Sequence, residues 1–278
     1  MPPYRLERLF RADSRRSLQI AIDHGSPGEA SMLAGIEDME LAVARIAEAG
    51  PDAVLLAPGH AEILQRRPGR DKPALMLRVD VPNVYAPEPP ERAWCILLED
   101  AVGRAVRLDA ACVVVNLLEA PGHPELREDC VQNLGRLRAA CDQAGMPLMV
   151  EPLSLKPGAG GYGIDGDVDR IRGLVRQAVE LGADLIKADP TDDPRDYTRV
   201  VEVSRVPVLA RGGGRIDQHE ILRRTRELLD SGAQGIVYGR NVIQHPDPVA
   251  MTRALVAVVH ENRTPEDAEA ELGASVTI

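Results

Sequence analysis

The sequence predicts a single (β/α)8 TIM barrel, an α/β fold, and three observations carry that prediction. Eight short apolar runs alternate with helix-length stretches along 278 residues, a length that suits one such barrel. No repeat, linker or shift in composition divides the chain, so residues 1–262 read as one barrel and residues 263–278 as a flexible C-terminal tail. The glycine clusters follow the seventh and eighth apolar runs. A doubly wound open sheet, the alternative, usually carries its phosphate-binding glycines after the first strand.

Residues 1–16 are basic and irregular and read as a surface lead-in with at most a short helix. Strand one, 18–22, ends in Asp23-His24-Gly25, and a helix follows at 36–49. Strand two covers 52–56 with a helix near 59–65, and strand three covers 74–80. The proline-rich polar loop 82–92 is expected over the mouth of a site. A helix at 94–108 leads to strand four, 111–116, and the helix 125–144 stops at Gly145. Strand five covers 147–151, and 153–167 reads as a glycine-rich loop. The helix 171–181 ends at Gly182, and strand six runs through 183–188 to Asp189-Pro190. Strands seven and eight cover 206–210 and 235–238, and a helix over 247–261 completes the barrel.

Composition narrows the function. Apolar residues make up 44% of the chain and aromatics only 3%, so aliphatic packing must fill the core. A net charge of −10 argues against nucleic acid or an anionic membrane as partner. No stretch approaches the ~18–20 apolar residues that span a bilayer. Four cysteines without metal spacing or a secretory segment point to reduced thiols in a cytoplasmic protein. The six histidines show no HxH or HExxH spacing, so neither a metal site nor a cofactor is expected.

One lysine organises the rest. Lys187 lies in the apolar run of strand six, where an ammonium is expensive to bury and adds nothing to packing. That expense makes sense if the amine is a reagent. An ordinary lysine with pKa ~10.4 is neutral in about one molecule in a thousand or fewer at pH 7, and desolvation to about 7–8 raises that fraction roughly a thousandfold. A neutral amine can attack a ketone and form a Schiff base. The competing reading is a lysine that snorkels out or pairs with Asp189. Period-2 alternation places Asp23, Arg78, Asp80, Glu151, Lys187 and Asp189 toward the barrel axis, with Asn116 ending strand four. All sit at C-terminal strand ends, where barrel enzymes build their sites. His24 adjoins Asp23 and serves either as a substrate contact or as a loop cap. Arg211-Gly212-Gly213-Gly214 after strand seven and Gly239-Arg240 after strand eight form a candidate anion site. Glycine backbone admits a phosphate closely, and arginine supplies a bidentate cation. Plain tight turns are the competing reading there.

Taken together, Ile22-Asp23-His24-Gly25, Leu185-Ile186-Lys187, Ala210-Arg211-Gly212-Gly213 and the segment from Gly232 to Gln244 resemble the class I aldolases of the archaeal-type fructose-bisphosphate aldolase superfamily. The resemblance spans nearly the whole chain. It implies a (β/α)8 barrel, Lys187 as the Schiff-base lysine, and Asp23 as a carboxylate near the carbinolamine. It further implies that Gly212, Gly213, Gly239 and Arg240 hold a substrate phosphate. Fructose-bisphosphate members carry a tyrosine before the proline of strand five. Here Glu151 precedes Pro152, closer to the tagatose-bisphosphate and sulfofructose-phosphate branches, where a glutamate is the acid/base. Arg211 replaces a small residue and would narrow the pocket or bind a second anionic group, with Arg78, Asn116 and His24 as further substrate contacts. The implied partner is a small phosphorylated sugar, and the superfamily implies a homo-oligomer. Transaldolase-like transfer and a non-catalytic phosphosugar-binding barrel are the alternatives.

Overall fold

The computed structural model describes residues 4–69, 71–158 and 160–275. Eight parallel strands close into a barrel. They are β1 (Ser17–Ala21), β2 (Ala53–Leu56), β3 (Ala74–Arg78), β4 (Cys112–Glu119), β5 (Leu148–Gly158), β6 (Leu185–Ala188), β7 (Val208–Arg211) and β8 (Gly235–Tyr238). Each pairs with its neighbour in sequence order, β4 pairs β5 over seven residues, and β8 returns to β1 with Ser17 opposite Gly235. No barrel edge is left open.

Eight helices surround the barrel: α1 (Met39–Ala49), α2 (Ala61–Gln65), α3 (Ala101–Arg107), α4 (Pro124–Ala144), α5 (Val168–Glu180), α6 (Tyr197–Glu202), α7 (Gln218–Asp230) and α8 (Pro248–His260). Aspartates start four of them by accepting from backbone N–H groups of the first turn: Asp38, Asp167, Asp217 and Asp247. Gly145 stops α4 in the left-handed conformation at φ 59°.

The core has two layers, and period-2 alternation explains them. Leu75, Leu77 and Val79 pack outward against the helices, whereas Ala74 and Met76 point into the barrel with Leu55, Val114, Met149, Leu185, Leu209 and Val237. The filling is almost wholly aliphatic, as the composition demands. Above this plug the inward positions turn polar at the C-terminal strand ends, and that is where the pocket opens.

Four expectations need correction. The basic lead-in has the expected short helix (Tyr4–Glu7) but is not wholly a surface segment: Leu6 within the helix and Leu9 after it are buried against the inward barrel residues and close its floor. Residues 94–108 are not one helix, because Cys95–Leu97 pairs antiparallel with Asp80–Pro82 and only Ala101–Arg107 is helical. The glycine-rich stretch after strand five is largely a hairpin, with β5 running to Gly158 and turning back through Gly161–Ile164. The C-terminal segment is not a frayed tail over its whole length, since Pro265–Ser275 is helical and packs on α7 and α8 with Ala268 and Leu272 buried. Residues 276–278 lie outside the described residues.

The hairpin positions the site. Gly161, at φ +99°, lies so close to the loop after β3 that a methyl group there would sit 2.4 Å from the Ala86 carbonyl oxygen. Backbone packs on backbone, and the loop carrying Tyr85 is braced over the barrel mouth.

Candidate active site

Lys187 leaves the inner face of β6 with 4% of its surface exposed, beside Glu151 of β5 at 2%. Its Nζ donates to Glu151 Oε2 at 2.9 Å. The same carboxylate accepts from Arg78 Nη2, and its second oxygen meets Arg211 Nε at 2.9 Å. One carboxylate thus holds three cations. Burial alone would push Glu151 up, but Lys187, Arg78 and Arg211 outweigh it and hold the carboxyl well below the usual carboxylate range. Lys187 is shifted down: desolvation disfavours its ammonium, Arg78 and Arg211 add to that, and Glu151 and Asp23 offset only part.

Arg78 is the hub on the other side. Its Nε donates to Asp23 Oδ2 at 2.8 Å and its Nη1 reaches Asp80 Oδ1 at 3.4 Å. Burial raises Asp23, but Arg78 and Lys187 prevail and keep it ionised. Asp80 is fully buried and shifted up by desolvation, though Asn116 donates to it from both its backbone N–H and its side-chain amide, and Cys95 Sγ lies 3.1 Å away. Arg211 Nη1 donates to Asp189 Oδ1 at 2.9 Å. Arg211 is therefore paired with two buried carboxylates, Glu151 and Asp189.

His24, at the end of β1, fits because residue 239 is glycine: a methyl there would lie 2.3 Å from the His24 Cε1. Desolvation pushes its imidazole down to about 4, so the ring is neutral at physiological pH. The loops after β7 and β8 are tied together by Asn241. Its amide donates to the Gly212 and Gly214 carbonyls at 3.2 Å each and its oxygen accepts from the Ile216 N–H at 3.0 Å. Arg224 donates to the Gly212 carbonyl at 2.6 Å. Arg240 lines the same pocket as Gly212, Gly213 and Gly239, partly buried, with no carboxylate partner among the described residues; desolvation and the positive charge of Arg211 shift it down.

Asp23, His24, Arg78, Asp80, Asn116, Glu151, Lys187, Arg211, Gly212, Gly213, Gly239 and Arg240 line one pocket of about 710 Å3 including its open mouth, whereas Asp189 and Gly214, also singled out from the sequence, are not part of its lining. Sequence reasoning gave no role to Tyr85, Asn241 or Cys95. Tyr85 sits in a loop without periodicity, so no pattern marks it, yet it overhangs this pocket, its hydroxyl pushed up by burial and kept protonated. Among the described residues no group of three His, Cys, Asp or Glu side chains is arranged to hold a metal.

A buried, downshifted lysine beside a carboxylate, in one pocket with the glycine- and arginine-bearing loops after β7 and β8, at the C-terminal mouth of an eight-stranded barrel, defines a class of barrel enzyme equipped for carbonyl chemistry. The chain belongs to the DeoC/LacD family of aldolases, whose model matches residues 17–245. It is 32% identical over 267 residues to an uncharacterised aldolase of Saccharolobus solfataricus, covering 93% of this chain and 94% of that protein. It is 31% identical over 269 residues to the 2-amino-3,7-dideoxy-D-threo-hept-6-ulosonate synthase of Halobacterium salinarum, covering 97% of this chain and 95% of the relative. Among solved structures, an archaeal fructose 1,6-bisphosphate aldolase superposes with a TM-score of 0.75 at 28% identity, covering 93% of this chain and 98% of that one. Another, with its catalytic lysine covalently bound to the carbinolamine intermediate, gives a TM-score of 0.73, also at 28% identity, over 92% of this chain and 98% of that one. Membership of an aldolase family makes this protein an enzyme and sets aside the reading of a non-catalytic barrel.

Proposed function

We propose that the protein is a class I aldolase that breaks or forms a C–C bond in a phosphorylated ketose through a Schiff base on Lys187. The observation that carries this reading is the Lys187–Glu151 pair: a buried amine whose charged form is disfavoured, 2.9 Å from the carboxylate placed to take its proton. Lys187 passes one proton to Glu151, the neutral amine adds to the ketone, and the second proton that Nζ sheds goes to the former carbonyl oxygen to give the carbinolamine hydroxyl. The carbinolamine nitrogen is uncharged, so Glu151 then faces two cations instead of three and its proton affinity rises. In that state it can protonate the departing hydroxyl, and water leaves to give the iminium. Asp23, held ionised by Arg78, stabilises that cation. Glu151, a carboxylate again, takes the proton of the hydroxyl on the carbon beyond the scissile bond, an aldehyde leaves, and the bonding electrons pass to the iminium to form an enamine. Glu151 returns that proton to the enamine carbon, and hydrolysis of the iminium returns the amine. A positioned acid/base contributes about 10²–10⁴-fold in such steps. Gly212, Gly213, Gly239 and Arg240 hold the phosphate.

The names of two kinds of relative favour a second reading in which the same lysine serves group transfer. One is the synthase from Halobacterium, and the other is a 3-hydroxy-5-phosphonooxypentane-2,4-dione thiolase of Salmonella typhimurium, 29% identical over 95% of this chain and 84% of that protein. A cytoplasmic location and a homo-oligomeric state belong with the proposal; four free, buried cysteines suit the first. Solvent exchange tests the chemistry. The enzyme is expected to exchange deuterium from D2O into dihydroxyacetone phosphate beside the carbonyl, and Lys187→Ala is expected to abolish it. Equal exchange by both proteins would remove the Schiff base from the account. Product formation that requires an added acceptor aldehyde would favour transfer.

A further inference from the structure

We propose that the substrate carries one anionic group and that its half remote from Arg240 is uncharged. This rests on the aldolase reading and sharpens it into a substrate class. The cations lining the pocket are Arg78, Lys187, Arg211 and Arg240, and three of them are already spoken for. Arg78 is divided among Asp23, Asp80 and Glu151, Lys187 is bonded to Glu151, and Arg211 is bonded to Glu151 and Asp189. A second phosphate could recruit one of these only by stripping a buried carboxylate of its partner, and the buried acid left behind is costly. His24 offers no further positive charge, because its imidazole is neutral at physiological pH. Of these four, Arg240 alone has no carboxylate partner among the described residues, and it shares the lining with Gly212, Gly213 and Gly239, whose backbone would let a phosphate approach closely.

The rest of the lining supplies no further cation. Ser26, Pro27 and Met32 after β1 and Pro82 and Tyr85 after β3 are all uncharged. Tyr85 keeps its proton there, and a hydroxyl can donate to or accept from the neutral oxygens of a polyol or aldehyde. A ketose monophosphate with an uncharged far end satisfies this pocket. A bisphosphate would bring a second dianion to a lining whose other cations are already paired.

Calorimetry tests the count. Inorganic phosphate, fructose 1-phosphate and fructose 1,6-bisphosphate are titrated into Lys187→Ala, which cannot form a covalent adduct. The same phosphate titration is run on Arg240→Met and Arg240→Lys, with circular dichroism to show that both are folded. The expected result is one phosphate per chain, bound at least tenfold more weakly by Arg240→Met and partly restored by Arg240→Lys, with the bisphosphate no more than fivefold tighter than the monophosphate. A second phosphate per chain, no phosphate bound, binding indifferent to Arg240, or a bisphosphate preference above fivefold would overturn the inference. The exchange reaction of the wild type reads the aldolase chemistry separately. Intact exchange with a two-phosphate pattern sinks only the single-anion inference, whereas absent exchange sinks the reading beneath it.

Discussion

Glu151 is the residue on which the site's electrostatics turn. It is the shared counter-ion of Lys187, Arg78 and Arg211, all within a barrel mouth that excludes most water. Glu151→Gln keeps the shape and removes the charge, which leaves Lys187 without its carboxylate partner and Arg78 and Arg211 each short of one. Turnover is expected to fall by about 10²–10⁴, and removal of one partner from a buried ion cluster is expected to lower stability by about 3–5 kcal/mol. Urea unfolding beside steady-state kinetics checks both, and turnover within a few-fold of wild type would remove Glu151 from the proton transfers. His24 supplies a pH prediction. Its folded pKa of about 4 lies below the ordinary 6.5, so between those values the unfolded chain takes up a proton that the folded chain refuses. Stability is therefore full above pH 6.5 and declines as pH falls toward 4, by at most about 3 kcal/mol from this group. His24→Gln, followed by urea unfolding across that window, is expected to show a shallower decline.

Two elements hold the catalytic loops in place, and neither was visible as such in the sequence. The hairpin that extends β5 braces the loop after β3 through Gly161, and Asn241 ties the loops after β7 and β8. Gly161→Ala both strains a positive-φ position and drives a methyl against the Ala86 carbonyl. It is expected to cost about 1–3 kcal/mol and to raise KM several-fold with little change in kcat, because it displaces Tyr85 and not Lys187. A kcat loss equal to that of Glu151→Gln would show that the loop does more than position. The hairpin escaped notice because glycines at 158, 160, 161 and 163 read as turn signals, whereas the pairing across them is decided by long-range packing. Cys95–Leu97 was absorbed into a helix for a similar reason: its strand partner, Asp80–Pro82, is a fragment of three residues with no periodicity of its own.

At the scale of the whole molecule, the barrel and its polar mouth were legible because both rest on a local rule. Alternation puts Arg78 and Lys187 on the inner face of their strands whatever their neighbours are, and successive parallel strands with helical crossovers close in one way. The cross-links were not legible. That Arg211 would be consumed by Glu151 and Asp189, or that Asn116 would serve Asp80, depends on distances between strands that no spacing along the chain encodes. The floor was missed because Leu6 and Leu9 are set among Arg5, Arg8 and Arg11, whose charges mask an apolar pair one turn apart. Leu9→Ala tests that floor: it is expected to lower stability by about 2–5 kcal/mol in a thermal melt while leaving the chemistry at the opposite end intact.

Whether Lys187 is the reacting amine is decided by intact-protein mass spectrometry after borohydride reduction with dihydroxyacetone phosphate. The expected result is one reduced adduct per chain, mapped by peptide digestion to Lys187 and absent in Lys187→Ala. Because the amine is shifted down from 10.5, its trapping rate is expected to rise with pH to a midpoint below that value. An adduct on another lysine, or none with any phosphoketose, would contradict the account.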